Sequence, residues 1–407
     1  MYAEDKAGTE RTAFRCAEKK YQLHFDQEPK IRKGKHVGYK LVERPTDASG
    51  VIDVDNLDSL TAAGNTLLEH TNLPNLPMPK CRVFTFPERP GLVFFRKGLS
   101  PDLQRRLTVQ CLTQFPSPPA HTNFNRSLGR YLPSGLWNAA HAGLKLGPVV
   151  AESGEQERKE EEKPEWVNGG DGPPAATLLR KLRWSSIGLI YDWTRRIYVS
   201  EWGFMPLPEE LATLAKNLVH VASLTDNKKT PTPPLPPSPP PDSFNPNAAL
   251  INYYHEGDTL NGHIDDAEPD MTQPLVSLSL GRPGIFLIGG LSRDIEPIPV
   301  LLRSGDAVIL AGDSRRSYHG VPRIFPLKGV DGEEVKCGAE DKNDENGSIG
   351  NVHRKAKAPQ RELLAPECEK TDWGDGGDVD FSPFEKHMNG SRINISVRSV
   401  GGGAQLT

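Results

Sequence analysis

His263 and Asp265 stand two residues apart at the end of the stretch Asn252 to Asp266, NYYHEGDTLNGHIDD. In an extended strand, residues i and i+2 point to the same face, so this imidazole and this carboxylate project side by side. Two such ligands and one distant histidine make a 2-His-1-carboxylate triad, which leaves metal positions open and suits a non-haem Fe(II) oxygenase. The distant histidine is His319, in Tyr318-His319-Gly320. His-x-Asp alone is a weak signal, and the chain supplies its own control: His24-Phe25-Asp26 also fits, in a charged N-terminal stretch. Only the second copy is followed by strand-like runs, another histidine and the segment Arg392 to Arg398.

In that last segment, period-two alternation puts Arg392, Asn394, Ser396 and Arg398 on one face and Ile393, Ile395 and Val397 on the other. A polar face is ordinarily the wet face of an edge strand. Here the strand closes a series that already carries the His and Asp. Guanidinium groups facing into a small barrel need an anionic partner, and a bidentate carboxylate suits arginine geometry. Iron with a dicarboxylate cosubstrate meets that demand.

The strands that must position these groups are short and regularly punctuated. They are expected at 248–254, 275–280, 284–288, 300–302, 307–310, 319–323 and 392–400, with Gly281-Arg-Pro-Gly284, Gly289-Gly290 and Ser304-Gly305-Asp306 as turns. Two further strands are expected at 82–86 and 91–97. Such a pattern gives an α+β, mainly β fold: a double-stranded β-helix, or jelly roll, flanked by helices and interrupted by disordered insertions. One flanking helix runs from Pro101 to about Gln114, where Ser100-Pro101-Asp102 supplies an N-cap, a proline at the first helical position and an acid in the first turn. A second spans Pro206 to Val221, with Leu211, Leu214, Ala215 and Leu218 on one stripe. Both are expected to cover the outer face of the barrel.

Composition argues for one catalytic unit with attachments. The 407 residues include 38 Gly and 37 Pro, and only 36% are hydrophobic, so part of the chain packs no core. Residues 1–80 are polar and aperiodic and are read as mostly disordered, with a short helix near 59–70. The charged run at 152–164 reads as a solvated linker. Residues 231–241 hold eight prolines in eleven positions, which makes them an extended spacer or a docking ligand for a protein partner. The net charge is −4, yet residues 329–390 hold 15 acids against 8 bases, so the rest of the chain is net positive. Acidity is thus concentrated in one insertion. The five cysteines are widely spaced, which argues against a disulfide scaffold or a zinc finger. No apolar run nears the roughly 18 residues that span a bilayer. The expectation is a soluble intracellular monomer in nucleus or cytoplasm, with the mitochondrion left open.

Residues 178–198 carry Arg180, Lys181, Arg183, Arg195 and Arg196 against the single acid Asp192, interleaved with Trp184, Tyr191, Trp193 and Tyr198. Basic groups among aromatics suit a surface that holds phosphates and stacks bases, with Trp184 and Tyr191 the stacking candidates. The alternative is that these aromatics are core.

Asn252-x-Tyr254, His263-x-Asp265, Ser314 to Pro322 (SRRSYHGVP) and Arg392-x-Asn394-x-x-x-Arg398, in that order, resemble the AlkB family of Fe(II)/2-oxoglutarate-dependent dioxygenases. The stretch 275–326 is similar in particular to the eukaryotic branch called AlkB homologue one. The resemblance covers most of 85–405 apart from insertions. It implies oxidative demethylation of methylated bases in DNA or RNA, with Fe(II) on His263, Asp265 and His319, and with 2-oxoglutarate and O2 in the open positions. Arg392 would grip the distal carboxylate, supported by Asn252, Tyr254 and Asn394, and Arg398 would stabilise the metal end. Four segments are expected: a mostly disordered tail at 1–80; an extension and nucleotide-recognition lid at 81–226; a proline-rich linker at 227–243; and a dioxygenase domain at 244–402. In the bacterial member an acid two residues after the ligand Asp touches the base; that position is Ala267 here, and Asp266 or Glu268 is expected to stand in. A protein hydroxylase would share every cosubstrate residue but lack the basic aromatic stretch, and a non-catalytic scaffold would have lost a ligand.

Overall fold

The computed structural model describes residues 11–32, 35–44, 47–56, 67–128, 132–147, 165–192, 194–199, 205–225, 243–325, 371, 373 and 379–401. Its strands in chain order are β1 (His24–Arg32), β2 (Lys35–Arg44), β3 (Leu68–His70), β4 (Arg82–Thr85), β5 (Leu92–Arg96), β6 (His121–Thr122), β7 (Lys145–Leu146), β8 (Trp166–Val167), β9 (Trp184–Gly188), β10 (Ile190–Asp192), β11 (Ile197–Val199), β12 (Ala248–His255), β13 (Leu260–His263), β14 (Leu275–Gly281), β15 (Gly284–Ile288), β16 (Ile298–Leu302), β17 (Ala307–Leu310), β18 (His319–Ile324) and β19 (Ser391–Arg398). The seven barrel strands expected from sequence are all present.

Two sheets dominate. One runs β3-β4-β5-β17-β14-β19-β12-β9-β6, the other β13-β18-β15-β16. They face each other across a core drawn from both, including Phe84, Phe94, Leu275, Phe286, Ile288, Val300, Val308 and Ile324. The far face of the large sheet presents Ile251, Val276, Leu278, Ile393 and Ile395 to the helices Pro101–Thr113 and Glu209–Ser223, which answer with Leu107, Cys111, Leu211, Ala215 and Leu218. Burying each of the Ile, Leu and Val side chains among them contributes roughly 1.5–3 kcal/mol. The first of these helices starts as its sequence dictates: Ser100 Oγ accepts from the Leu103 N–H at 3.2 Å, ahead of a proline at the first position.

Three expectations need correction. The segment 1–80 is not structureless where it is described: α1 (Ala13–Tyr21) covers the outer face of the small sheet, with Phe14, Tyr21 and Val51 against Ile285, Leu287, Leu301 and Phe325. Its apolar positions were hidden because a buried glutamate, Glu18, shares the stripe with Phe14 and Tyr21. The hairpin β1–β2 follows it, and Leu68–His70 is strand, not helix, while 57–66 lie outside the described residues. Secondly, the acidic insertion ends in packed structure. Phe381, Phe384 and Met388 of the helix region up to Met388 are buried, as is Trp373, whose ring lies 5.1 Å from that of Phe381. Thirdly, β13 stops at His263, so Asp265 is not on the strand that carries its neighbour. The linker 152–164, the proline tract and residues 326–370 lie outside the described residues.

Candidate metal centre and anion pocket

The register of the small sheet sets His263 on β13 directly opposite His319 on β18. Their rings lie 4.4 Å apart between centroids. Asp265, just past the strand, returns its carboxylate between them: Oδ1 is 3.6 Å from His263 Nε2 and Oδ2 is 3.8 Å from His319 Nε2. Among the described residues, these three form the group able to hold a metal ion, with one ligand atom from each within 4.8 Å of the others. Both imidazoles are oriented by backbone. His263 Nδ1 meets the Asn261 carbonyl at 2.9 Å and His319 Nδ1 meets the Ser317 carbonyl at 3.2 Å. A carbonyl only accepts, so each Nδ1 carries a proton and each Nε2 is turned toward Asp265.

Electrostatics favour a ligand set ready for a cation. Burial would raise the Asp265 carboxyl, but its surroundings, led by the Arg398 guanidinium that donates to it, outweigh burial and hold it well below the usual carboxylate range. Burial, with His263 adding, lowers His319 to about 4, so it is a neutral imidazole near pH 7. The control pair behaves otherwise: His24 Nε2 meets the Lys19 carbonyl at 2.7 Å and Asp26 pairs with Arg44 across the hairpin.

Around Asp265 lies a buried network that the sequence did not reveal. Arg398 Nη2 donates to Asp265 Oδ2 at 2.7 Å and its Nη1 donates to the Tyr198 hydroxyl at 2.9 Å. Tyr198 in turn donates to Glu268 Oε1 at 2.8 Å. Arg315, 2% exposed, donates to Glu268 Oε2 at 2.6 Å and to the Asp265 carbonyl. Glu268 is therefore occupied within the protein and is not the free acid expected to face a base. Arg315 lies in the Ser314 to Pro322 motif, but nothing in its spacing says that it points inward.

Arg392 lies on the same strand as Arg398 in a different setting. It is 1% exposed, donating from Nη1 to the Arg282 carbonyl at 3.0 Å and from Nη2 to Ser279 Oγ at 2.7 Å, while its Nε has no hydrogen-bond partner among the described residues. Among the described residues no carboxylate pairs with it, and burial lowers it to about 10. Its cross-strand neighbour is Tyr254, and Asn394 lies opposite Asn252. Asn394 Nδ2 donates to Ser277 Oγ and to the Leu278 carbonyl. The polar face of β19 is thus an inner face, with Arg392, Ser396 and Arg398 all buried.

The hairpin β10–β11 sits beside this centre. Tyr191 and Tyr198 lie opposite each other on it, 5.2 Å apart between ring centroids, and pack with Ala248 and Val400. Tyr191 is 9% exposed, so it does not stand free as a stacking platform. Trp184 is half-buried on β9, opposite Asn252. Asp266 remains open to solvent and accepts from Arg196 Nη2 at 2.6 Å.

The chain matches the family model of the 2OG-Fe(II) oxygenase superfamily over residues 150–398. It is 34% identical to a protein of Arabidopsis thaliana named DNA N(6)-methyladenine demethylase ALKBH1A, over 96% of this chain and 96% of that one. A tRNA demethylase abh1 of Schizosaccharomyces pombe is 34% identical over 61% of this chain and 72% of its own. A nucleic acid dioxygenase ALKBH1 of Mus musculus is 26% identical over 80% and 68% respectively. A His-Asp-His group able to hold a metal ion, a family match over residues 150–398 and a relative matched over nearly its full length all agree: this chain belongs to the 2OG-Fe(II) oxygenase superfamily, in the ALKBH1 branch of its AlkB family.

Proposed function

We propose that this protein is an Fe(II)- and 2-oxoglutarate-dependent dioxygenase that removes methyl groups from bases in DNA or tRNA. The observation that carries the reading is the pairing of the His263, Asp265 and His319 group with Arg392, a buried guanidinium lacking a carboxylate partner among the described residues. Leaving such a charge uncompensated in the interior is costly, so its retention fits a site completed by a dicarboxylate. His263 Nε2, His319 Nε2 and an Asp265 oxygen would hold the iron, and Arg392 would receive the distal carboxylate of 2-oxoglutarate, with Asn252, Tyr254 and Asn394 lining the way. When bound, iron, 2-oxoglutarate and O2 together supply oxidation of a methyl C–H to a hydroxymethyl, which leaves nitrogen as formaldehyde while the cosubstrate becomes succinate and CO2.

The chain's own residues prepare that chemistry. Arg398 keeps Asp265 ionised and oriented, Tyr198 and Glu268 fix Arg398, and Arg315 braces the backbone at Asp265. The two facing sheets are read as the two halves of a jelly roll, with the triad between β13 and β18 near the β10–β11 hairpin. That hairpin and the exposed Asp266 are proposed to border the base, with Arg183, Arg195 and Arg196 exchanging their partners Asp258, Asp192 and Asp266 for phosphates; the relatives' named substrates favour nucleic acid. A monomer suits a site built wholly from one chain. The experiment is a screen of methylated DNA and tRNA oligonucleotides with Fe(II) and 2-oxoglutarate, measuring formaldehyde and the product base together. Release of formaldehyde from a methylated strand supports the reading, and succinate without base conversion on any strand refutes it.

A further inference from the structure

We infer that α1 positions the metal ligand His263 through Glu18, an inference that rests on the metal-centre reading above. The strand that carries His263 is irregular where it nears the site. Leu260 pairs with Val321 and His263 with His319, but the register slips between them. A bulge of this kind leaves a backbone group without a ladder partner and re-aims the side chain beside it. Gly262 lies in the slip, and its N–H donates to Glu18 Oε1 at 2.5 Å, across 244 residues of sequence. Its carbonyl accepts from Arg293 Nη2 at 2.8 Å, and the Arg293 carbonyl accepts from the Phe14 N–H at 2.9 Å. Both backbone groups of the residue before His263 are therefore held by α1 or by the loop that α1 grips.

Glu18 is a costly choice for helix packing alone. It is 2% exposed and shares the buried stripe with Phe14 and Tyr21, where an apolar residue would pack without any penalty for burying a carboxylate. Its second oxygen accepts from Arg15 Nη1 at 3.0 Å, which leaves Oε1 for the bulge. Phe14 adds a steric match: its ring lies over Gly262 and Gly289, where any Cβ would collide with it. Helix, bulge and ligand form one unit, and α1 lies outside the 150–398 family match. Glu18 touches no ligand atom, so it is a positioning residue.

Co(II) is the probe, titrated into the full chain. Its ligand-field absorption reports the geometry of the site, and the melting temperature of the metal-free protein is recorded alongside. Glu18→Leu is expected to weaken Co(II) binding by about 10- to 100-fold, the usual effect of removing an outer partner of a metal site, and to alter the spectrum. Glu18→Gln keeps an oxygen acceptor at the same reach and restores both affinity and spectrum. Should Glu18→Leu fail to fold, Glu18→Asp shortens the reach by one methylene and reads the same loss. Variants that melt lower yet bind Co(II) with the parent's affinity and spectrum overturn the inference, since Glu18 then serves folding only. A parent chain that binds no Co(II) overturns the metal centre itself and the inference with it, so the two failures are distinct.

Discussion

Arg392 and Arg398 share one strand and one face, yet their surroundings give them different work. Arg398 is committed to Asp265, Tyr198 and Glu268, whereas the partners of Arg392 among the described residues are neutral oxygens. Arg392→Ala is therefore expected to raise the KM for 2-oxoglutarate by about 10- to 100-fold, the equivalent of one charge-assisted hydrogen-bonded contact. Arg398→Lys keeps a charge but loses the fork that spans three partners, so it should lower iron content with little change in that KM. Equal, small effects on KM from both would place the cosubstrate elsewhere. Tyr198→Phe removes a hydroxyl held between Glu268 and Arg398, and denaturant unfolding should show a loss of roughly 1–3 kcal/mol. The polar face of β19 could be read from spacing, because period-two geometry is local, whereas Asp265 meets His263 from beyond the end of β13. Arg315 and Glu18 could not, since only tertiary packing decides that a charged residue points inward.

At the level of elements, the clearest sequence signals were end signals. Ser100-Pro101 starts a helix because an orphan N–H and a missing N–H are both provided for, and the helix duly begins there. Weak signals failed where burial came from distant partners, as with α1 and with Trp373. Trp373 sets a limit on what can be removed. Deleting 331–370 should leave the fold intact, whereas Trp373→Ala should cost about 3–5 kcal/mol, read by chemical denaturation. An unchanged midpoint in Trp373→Ala would mean that the ring packs on nothing essential. The helix Ser382–Met388 also carries a pH dependence. Burial, with His255 and His141 adding, lowers His387 to about 3 from an ordinary 6.5. Between those values the unfolded chain binds a proton that the folded chain refuses, so stability is full above the window and falls as pH drops through it. His387→Phe should flatten the acid limb of melting temperature against pH; an unaltered limb would contradict the assignment.

Across the whole molecule, charge is divided rather than balanced. The net −4 conceals an acidic insertion and a basic remainder, in which Arg183, Arg195 and Arg196 pair with Asp258, Asp192 and Asp266. Affinity for an oligonucleotide should fall with rising salt as counterions are released, and deleting 331–370, ten acids against seven bases, should raise it. The most direct test of the account measures formaldehyde and succinate together from a methylated single strand, in the parent chain and in Asp265→Ala. The account predicts equal amounts of the two products from the parent and neither from the variant. Demethylation by Asp265→Ala at the parent's rate would contradict it.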